Sequence, residues 1–268
     1  DGGISTENKR RLAVLEKRYH FAITYVTPDR ELFKGIRPAG MPIELPIETY
    51  YRTAIGRILP VTCNKAIYMD VDVVVKGNIK ELFCVDLEGK TLGAVADCYQ
   101  DQRIEHMKNL CENTNVPAKT IDATYFNAGV LLINLNRWRE LEIEDKLFNF
   151  IRENPGKLFY HDQDALNVVL SGDCRILPAK YNFFAEYGKY YGEHEPFIIH
   201  YAGGGKPWYL FSALPYQSEY VYYVNKTPWK NRKYRKLVDV PFAKKYYFYP
   251  IAWALWSVYK KMKKYFSK

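Results

Sequence analysis

Apolar and polar positions along this chain fall into short alternating blocks with two distinct periods. Glu7–Arg18 is largely polar, with Leu12 and Leu15 one turn apart, which predicts a helix opening after a Ser5 cap. Phe21–Val26 reads as a strand, and the Pro- and Gly-rich stretch Gly35–Pro46 as a loop. Glu48–Ile58 has helical spacing and stops near Pro60. Ala66–Val75 is a β-branched run and the clearest strand, and Leu92–Ala96 is another. Gln100–Cys111 is a polar helix or loop. Gly129–Leu135 is an apolar run, which predicts a strand buried on both faces. Arg137–Glu153 is amphipathic, with Leu141, Leu147, Phe148 and Ile151 inward, and reads as one helix. Asp162–Leu170 is a short helix and Phe197–His200 a last strand. No internal repeat is present. Strands alternating with helices predict an α/β fold with an open, mostly parallel sheet.

A length of 268 residues, 48% of them hydrophobic, suffices for one large α/β domain or two small ones and excludes wholesale disorder. The net charge of +9 first points to a polyanion, but it is unevenly placed. Residues 226–268 hold 13 Lys and Arg against the single acid Asp239, whereas residues 1–225 hold 26 against 29. The body is mildly acidic and the last sixth of the chain strongly basic, which argues against a nucleic-acid groove across the fold. The five cysteines (Cys63, Cys84, Cys98, Cys111, Cys174) are odd in number and lack metal-binding spacing, so they read as reduced thiols in a cytoplasmic compartment.

Candidate chemistry lies at the block boundaries. Asp70 and Asp72 are two apart in a predicted strand, so both project to one side. Two like charges there call for a divalent cation with oxygen ligands, or else the pair caps a loop at the strand end. After the last strand, His200-Tyr-Ala-Gly203-Gly-Gly-Lys206 brings an imidazole suited to a third metal ligand, a glycine run and a lysine suited to a phosphate. A flexible loop with a surface lysine fits the same residues. Asp162 and Gln163 open a helix, where they orient substrate hydroxyls or a reacting carbon, or else Asp162 or Asp164 is simply the helix N-cap. Asn127, at the mouth of the apolar strand, is a hydrogen-bonding group for a polar ligand or a turn residue. Arg52 is placed to reach a diphosphate or to stay solvated.

In register, Thr49-Tyr-Tyr-Arg52, Tyr68-Met-Asp-Val-Asp72, Phe126-Asn-Ala-Gly-Val-Leu-Leu-Ile-Asn134, Asp162-Gln-Asp-Ala-Leu-Asn167 and His200-Tyr-x-Gly-x-x-Lys-Pro-Trp208 resemble the retaining family-8 glycosyltransferases. That group includes the bacterial lipopolysaccharide galactosyl- and glucosyltransferases and glycogenin. The resemblance covers roughly residues 1–211. It implies a GT-A fold, a bacterial source, UDP-galactose or UDP-glucose as donor, a hydroxyl of a lipopolysaccharide, capsular or other surface glycan as acceptor, and Mn2+ or Mg2+. Residue by residue, Asp70, Asp72 and His200 match metal ligands, and Gly203 and Lys206 match diphosphate contacts. Arg52 matches a donor-binding arginine, and Asp97, Asn127, Asp162 and Gln163 match residues around the donor sugar. Gln163 stands where a retaining enzyme would place a nucleophile. An amide is a poor one, so same-face attack by the acceptor is favoured, with Asp162 the competing nucleophile. Family members normally begin with a further strand and helix that contact the nucleotide, so residues 1–225 are expected to form a catalytic domain short of them, binding UDP weakly. A non-catalytic relative and an enzyme acting on a protein acceptor are the alternatives.

Residues 226–268 form the second predicted region. Placed on a helical wheel from Ile251, the residues Ile251, Leu255, Val258, Met262 and Phe266 share one arc, and Lys260, Lys261 and Lys264 the other. The uncharged run 246–259 is too short to span a bilayer. The pattern predicts an interfacial helix on anionic headgroups, placing the protein peripherally on the cytoplasmic face of the plasma membrane, with no nucleic-acid partner.

Overall fold

The computed structural model describes residues 1–36, 46–114, 116, 120, 123–186, 195–209, 212 and 214–232. The chain divides into two compact units, Asp1–His200 and Tyr201–Lys268. The predicted tail helix lies outside the described residues, as does most of the predicted 35–46 loop.

In the first unit, helices α1 (Thr6–Tyr19), α2 (Ile55–Ile58), α3 (Lys80–Phe83), α4 (Gln100–Asn113), α5 (Leu135–Glu140), α6 (Ile143–Glu153) and α7 (Asp162–Val169) surround seven strands. The strands are β1 (Lys65–Met69), β2 (Val73–Val75), β3 (Leu92–Ala96), β4 (Phe126–Asn134), β5 (Cys174–Leu177), β6 (Phe183–Phe184) and β7 (Ile198–His200). A four-stranded sheet runs β1-β4-β3-β5 and a three-stranded sheet β2-β7-β6. The second unit holds α8 (Gln217–Val224), where the Tyr201 hydroxyl donates to the Tyr216 carbonyl and Trp208 packs on Tyr220.

The α/β class holds, but the sheets are mixed rather than mostly parallel. β1–β4, β4–β3 and β2–β7 pair antiparallel, and β3–β5 and β6–β7 parallel. The core forms around β4, which is buried on both faces as its apolar run predicts. Leu131 and Ile133 join one cluster with Leu92, Trp138, Leu147, Phe148 and Leu166. Val130 and Leu132 join another with Val95, Leu177 and Ile198. Each such side chain contributes about 1.5–3 kcal/mol of transfer free energy.

Three expected elements differ. The single strand over Ala66–Val75 is two strands in two sheets, broken at Asp70–Asp72. The Asp70 amide still bonds the Gly129 carbonyl, then Val71 is fully exposed and the chain crosses to pair with β7. The single helix over Arg137–Glu153 is broken at Glu142, whose φ of 51° closes α5 and starts α6. Phe21–Val26 is not a strand; the Ile23 amide bonds the Glu16 carboxylate instead of a ladder partner. α1 starts at its Ser5 cap, with the Ser5 hydroxyl accepting from the Asn8 amide. None of the five cysteines forms a disulfide.

Glu144, in the first turn of α6, is a buried charge with a structural role. Its carboxylate accepts from the Arg57 amide and pairs with the Arg57 guanidinium at 3.2 Å. Burial pushes the Glu144 carboxyl up to about 7, with Arg57 opposing. A carboxyl raised in the folded state ionises first in the unfolded chain, so stability is lost as pH climbs from the ordinary value near 4.5 towards 7. Thermal melts are expected to show the native protein losing about 1–2 kcal/mol more than Glu144→Gln between pH 4.5 and 7.5.

Candidate active site

The break between β1 and β2 makes the centre of the site. Val73 pairs with His200 across β2 and β7, which sets the imidazole beside the Asp70–Asp72 turn. His200 Nε2 lies 3.4 Å from an Asp72 carboxylate oxygen and 3.8 Å from one of Asp70. One ligand atom from each of the three residues falls within 4.8 Å of the others. Two carboxylates and one imidazole on converging vectors suit a divalent cation with oxygen and nitrogen preference, so the donor set fits Mn2+ or Mg2+. The carboxylates converge through a turn, not by lying on one face of a straight strand. Gly129 of β4 makes room for the imidazole: a Cβ there would stand 2.2 Å from the His200 ring.

Arg52 forms the wall of the site. It is carried by the 3-10 segment Ile47–Ala54, which, with α2, occupies the predicted Glu48–Ile58 helix. Its guanidinium pairs with Asp162 at 2.9 Å and Asp70 at 3.1 Å, donates to the Ala128 carbonyl at 2.6 Å and lies over the Tyr68 ring. It is therefore already engaged by two carboxylates and is not solvated. Tyr68 also donates its hydroxyl to Asp70 at 2.7 Å. Asp162 is 3% exposed, and burial pushes its carboxyl up to about 6, with Arg52 pulling it down and Asp70 pushing it up.

The helix bearing Asp162 and Gln163 is fastened to β4 by Asn167, whose side chain bonds both the amide and the carbonyl of Phe126. His161 enters the helix at a φ of 54°, a strained conformation for a side-chain-bearing residue. Gln163 thereby faces Asn127: its amide oxygen accepts from Asn127 Nδ2 and from the Ala128 backbone, both at 3.0 Å. Asp97, at the end of β3, is buried against Arg103, with Nε and Oδ1 3.1 Å apart. Arg103 stacks on Tyr160, 3.7 Å from the ring centre.

The structure thus gathers Arg52, Asp70, Asp72, Asn127, Asp162, Gln163 and His200 around one end of β4, with Asp97 at the neighbouring strand end. Gly203 and Lys206 belong to the second unit, where Gly203 has a φ of 80° and Lys206 donates to the Tyr201 carbonyl. Tyr68, Arg103 and Asn182 were not singled out from sequence. Tyr68 lies inside a quoted motif, but Arg103 and Asn182 carry no local signal, since their partners are distant along the chain or reached only through the fold.

The sequence profile of Glycosyl transferase family 8 matches residues 1–210. General stress protein A of Bacillus subtilis (strain 168) is 30% identical over 246 residues, covering 85% of this chain and 82% of that protein. A lipopolysaccharide 1,2-glucosyltransferase of Escherichia coli is 27% identical over 240 residues, covering 85% of this chain and 68% of that one. Among solved structures, the galactosyltransferase LgtC in complex with donor and acceptor sugar analogs superposes with a TM-score of 0.73 at 23% identity, over 85% of this chain and 86% of that chain. The α/β architecture is thus the GT-A fold. A match that spans the whole first unit and every strand of both sheets places this chain in glycosyltransferase family 8.

Proposed function

We propose that this glycosyltransferase moves galactose or glucose, with retention, from a UDP-sugar to a hydroxyl of a surface glycan or glycolipid such as lipopolysaccharide. The convergence of Asp70, Asp72 and His200 beside Asn127, Asp162 and Gln163 is the observation that carries this reading. A Mn2+ or Mg2+ ion held by Asp70, Asp72 and His200 would supply positive charge to the departing diphosphate. Gly203 and Lys206 are assigned to the diphosphate by resemblance alone. Asn127, Gln163 and Asp97 orient the donor sugar, and the Asp162 carboxylate stabilises positive charge developing on it. Arg52 sets the position of Asp162 and Asp70 and faces the donor through them.

For retention we favour same-face attack. The acceptor oxygen bonds to the anomeric carbon as the bond from that carbon to the diphosphate breaks. The leaving oxygen keeps the electron pair and takes the acceptor's hydroxyl proton. The Gln163 amide oxygen supports this route, because both its lone pairs already accept hydrogen bonds. Its buried carboxylate makes Asp162 the competing nucleophile. We further assign residues 226–268 to an anionic membrane surface, on their charge asymmetry. No helix among the described residues is long and apolar enough to cross a membrane.

A screen of UDP-glucose, UDP-galactose and their N-acetyl forms with Mn2+ is expected to show metal-dependent donor hydrolysis. Asp70→Ala or Asp72→Ala should lower it at least about 100-fold, and full activity in either variant refutes the metal assignment. Mass spectrometry of the enzyme trapped during turnover should find no glycosyl group on protein; an adduct on Asp162 or Gln163 would replace same-face attack by a covalent route. In sedimentation with phosphatidylserine-containing vesicles, the full chain should pellet and a chain lacking residues 226–268 should stay in solution. Equal soluble fractions refute the surface role of the tail.

A further inference from the structure

A single hydrogen-bonded array runs from His200 across the mouth of β4 to Asp164. His200 Nδ1 meets Asn182 Oδ1 at 2.8 Å, and Asn182 Nδ2 donates to Asn127 Oδ1 at 2.8 Å. Asn127 Nδ2 donates to the Gln163 amide oxygen at 3.0 Å, and Gln163 Nε2 to the Tyr125 oxygen at 3.3 Å. Tyr125 donates to Asp164 at 2.6 Å, and Asp164 also meets His106 Nε2 at 2.9 Å and the Tyr160 amide at 2.8 Å. Asn182 and Asp164 are fully buried, so no water competes for these bonds.

Backbone amides fix the direction of this array. The Gly129 N–H points at the Asn127 side chain at 2.9 Å and can only donate, so the atom it meets is the oxygen. Asn182 must then face that oxygen with its NH2 group and turn its own oxygen to His200. An amide oxygen only accepts, so Nδ1 of His200 carries a proton, and Nε2, on the side of Asp70 and Asp72, is the nitrogen left to offer a lone pair to a cation. The Ala128 N–H fixes Gln163 in the same way. At the far end the Asp164 carboxylate accepts from Tyr125, which leaves the tyrosine oxygen free to accept from Gln163.

We propose that Asn182 is the positioning residue that sets the tautomer of His200, and that Asp164, acting through Tyr125, is the positioning residue that anchors the NH2 end of the Gln163 amide, whose oxygen the Ala128 N–H already fixes. This rests on the reading that His200 binds a cation and Gln163 faces the donor sugar. Partners that fix the far nitrogen of a ligating histidine set its basicity and orientation. The two ends are also insulated. Because Gly129 and Ala128 pin each amide separately, a change at Asp164 stops at Gln163 and does not reach His200.

The test compares Asn182→Leu, similar in volume and without hydrogen bonds, Asn182→Ser and Asp164→Asn. Asp164→Asn keeps the shape and reverses the polarity: the Tyr160 N–H requires the new amide oxygen, so the new NH2 donates to Tyr125. Calorimetric titration with MnCl2 alone should show affinity falling about 10–100-fold in both Asn182 variants. Asp164→Asn should stay within about threefold of native in Mn2+ affinity while kcat for transfer drops about tenfold or more. Circular dichroism and melting confirm folding, and one folded Asn182 variant suffices. A folded Asn182 variant binding Mn2+ like the native protein overturns the tautomer role. Native kcat in Asp164→Asn, or an equal loss of Mn2+ affinity there, overturns the Gln163 role. If the native protein takes up no Mn2+, the metal assignment itself falls, a result distinct from either of these.

Discussion

The guanidinium of Arg52 allows Asp70 and Asp162 to stand close together as carboxylates. Its side chain is 10% exposed, so the three charges meet where water screens them little. Burial works against the arginine charge, and Asp162 and Asp70 more than restore it. Breaking such a cluster on one side leaves an unpaired buried charge, which costs about 3–5 kcal/mol. The Tyr68 ring beneath the guanidinium and the Ala128 carbonyl beside it add directional contacts. Arg52 thus ties the 3-10 segment, the end of β1 and the start of α7 to one point on β4. The geometry of Asp70 and Asp162 depends on that point.

β4 is the second organising element, and its two ends of behaviour come from one sequence run. Val130–Ile133 alternate between two cores, so the strand cannot slip by one residue without exposing both. Its N-terminal end, Asn127-Ala-Gly129, turns two backbone amides to side chains instead of a neighbouring strand and has a missing side chain. Those amides orient the side chains of Asn127 and Gln163, and the bare Gly129 admits the His200 ring. A rigid hydrophobic middle and a polar mouth hold the Asn127 and Gln163 side chains in fixed directions.

Much of this was legible in the sequence, for reasons that also explain the remainder. The apolar run around Val130–Ile133 announced a two-faced strand because only burial on both sides tolerates it. Asp70, Asp72 and His200 were legible as candidate ligands by residue type, yet their route to one another was not. Val71 is apolar and fully exposed, so the β-branched pattern continued across a turn. The break at Glu142 was hidden likewise, since a left-handed residue at a helix junction leaves amphipathic spacing nearly intact. Asn182 sits in Tyr-Asn-Phe-Phe, where nothing local distinguishes an amide that bonds a buried histidine from a turn residue. Its meaning lies in contacts to His200 and Asn127, 18 and 55 residues away.

The crossing of the chain at Val71 has a mechanical consequence. The two sheets share no paired strand among the described residues, so they are joined by covalent turns, side-chain packing and side-chain hydrogen bonds such as Asn182 to Asn127. Asp70 is fastened to the first sheet through the Gly129 carbonyl, and His200 ends the central strand of the second. An ion gripped by both would therefore act as a rivet across the seam. Its binding free energy would enter the unfolding equilibrium as added cooperativity between the two sheets, slowing amide exchange in the three-residue strands β2 and β7, which are too short to protect themselves.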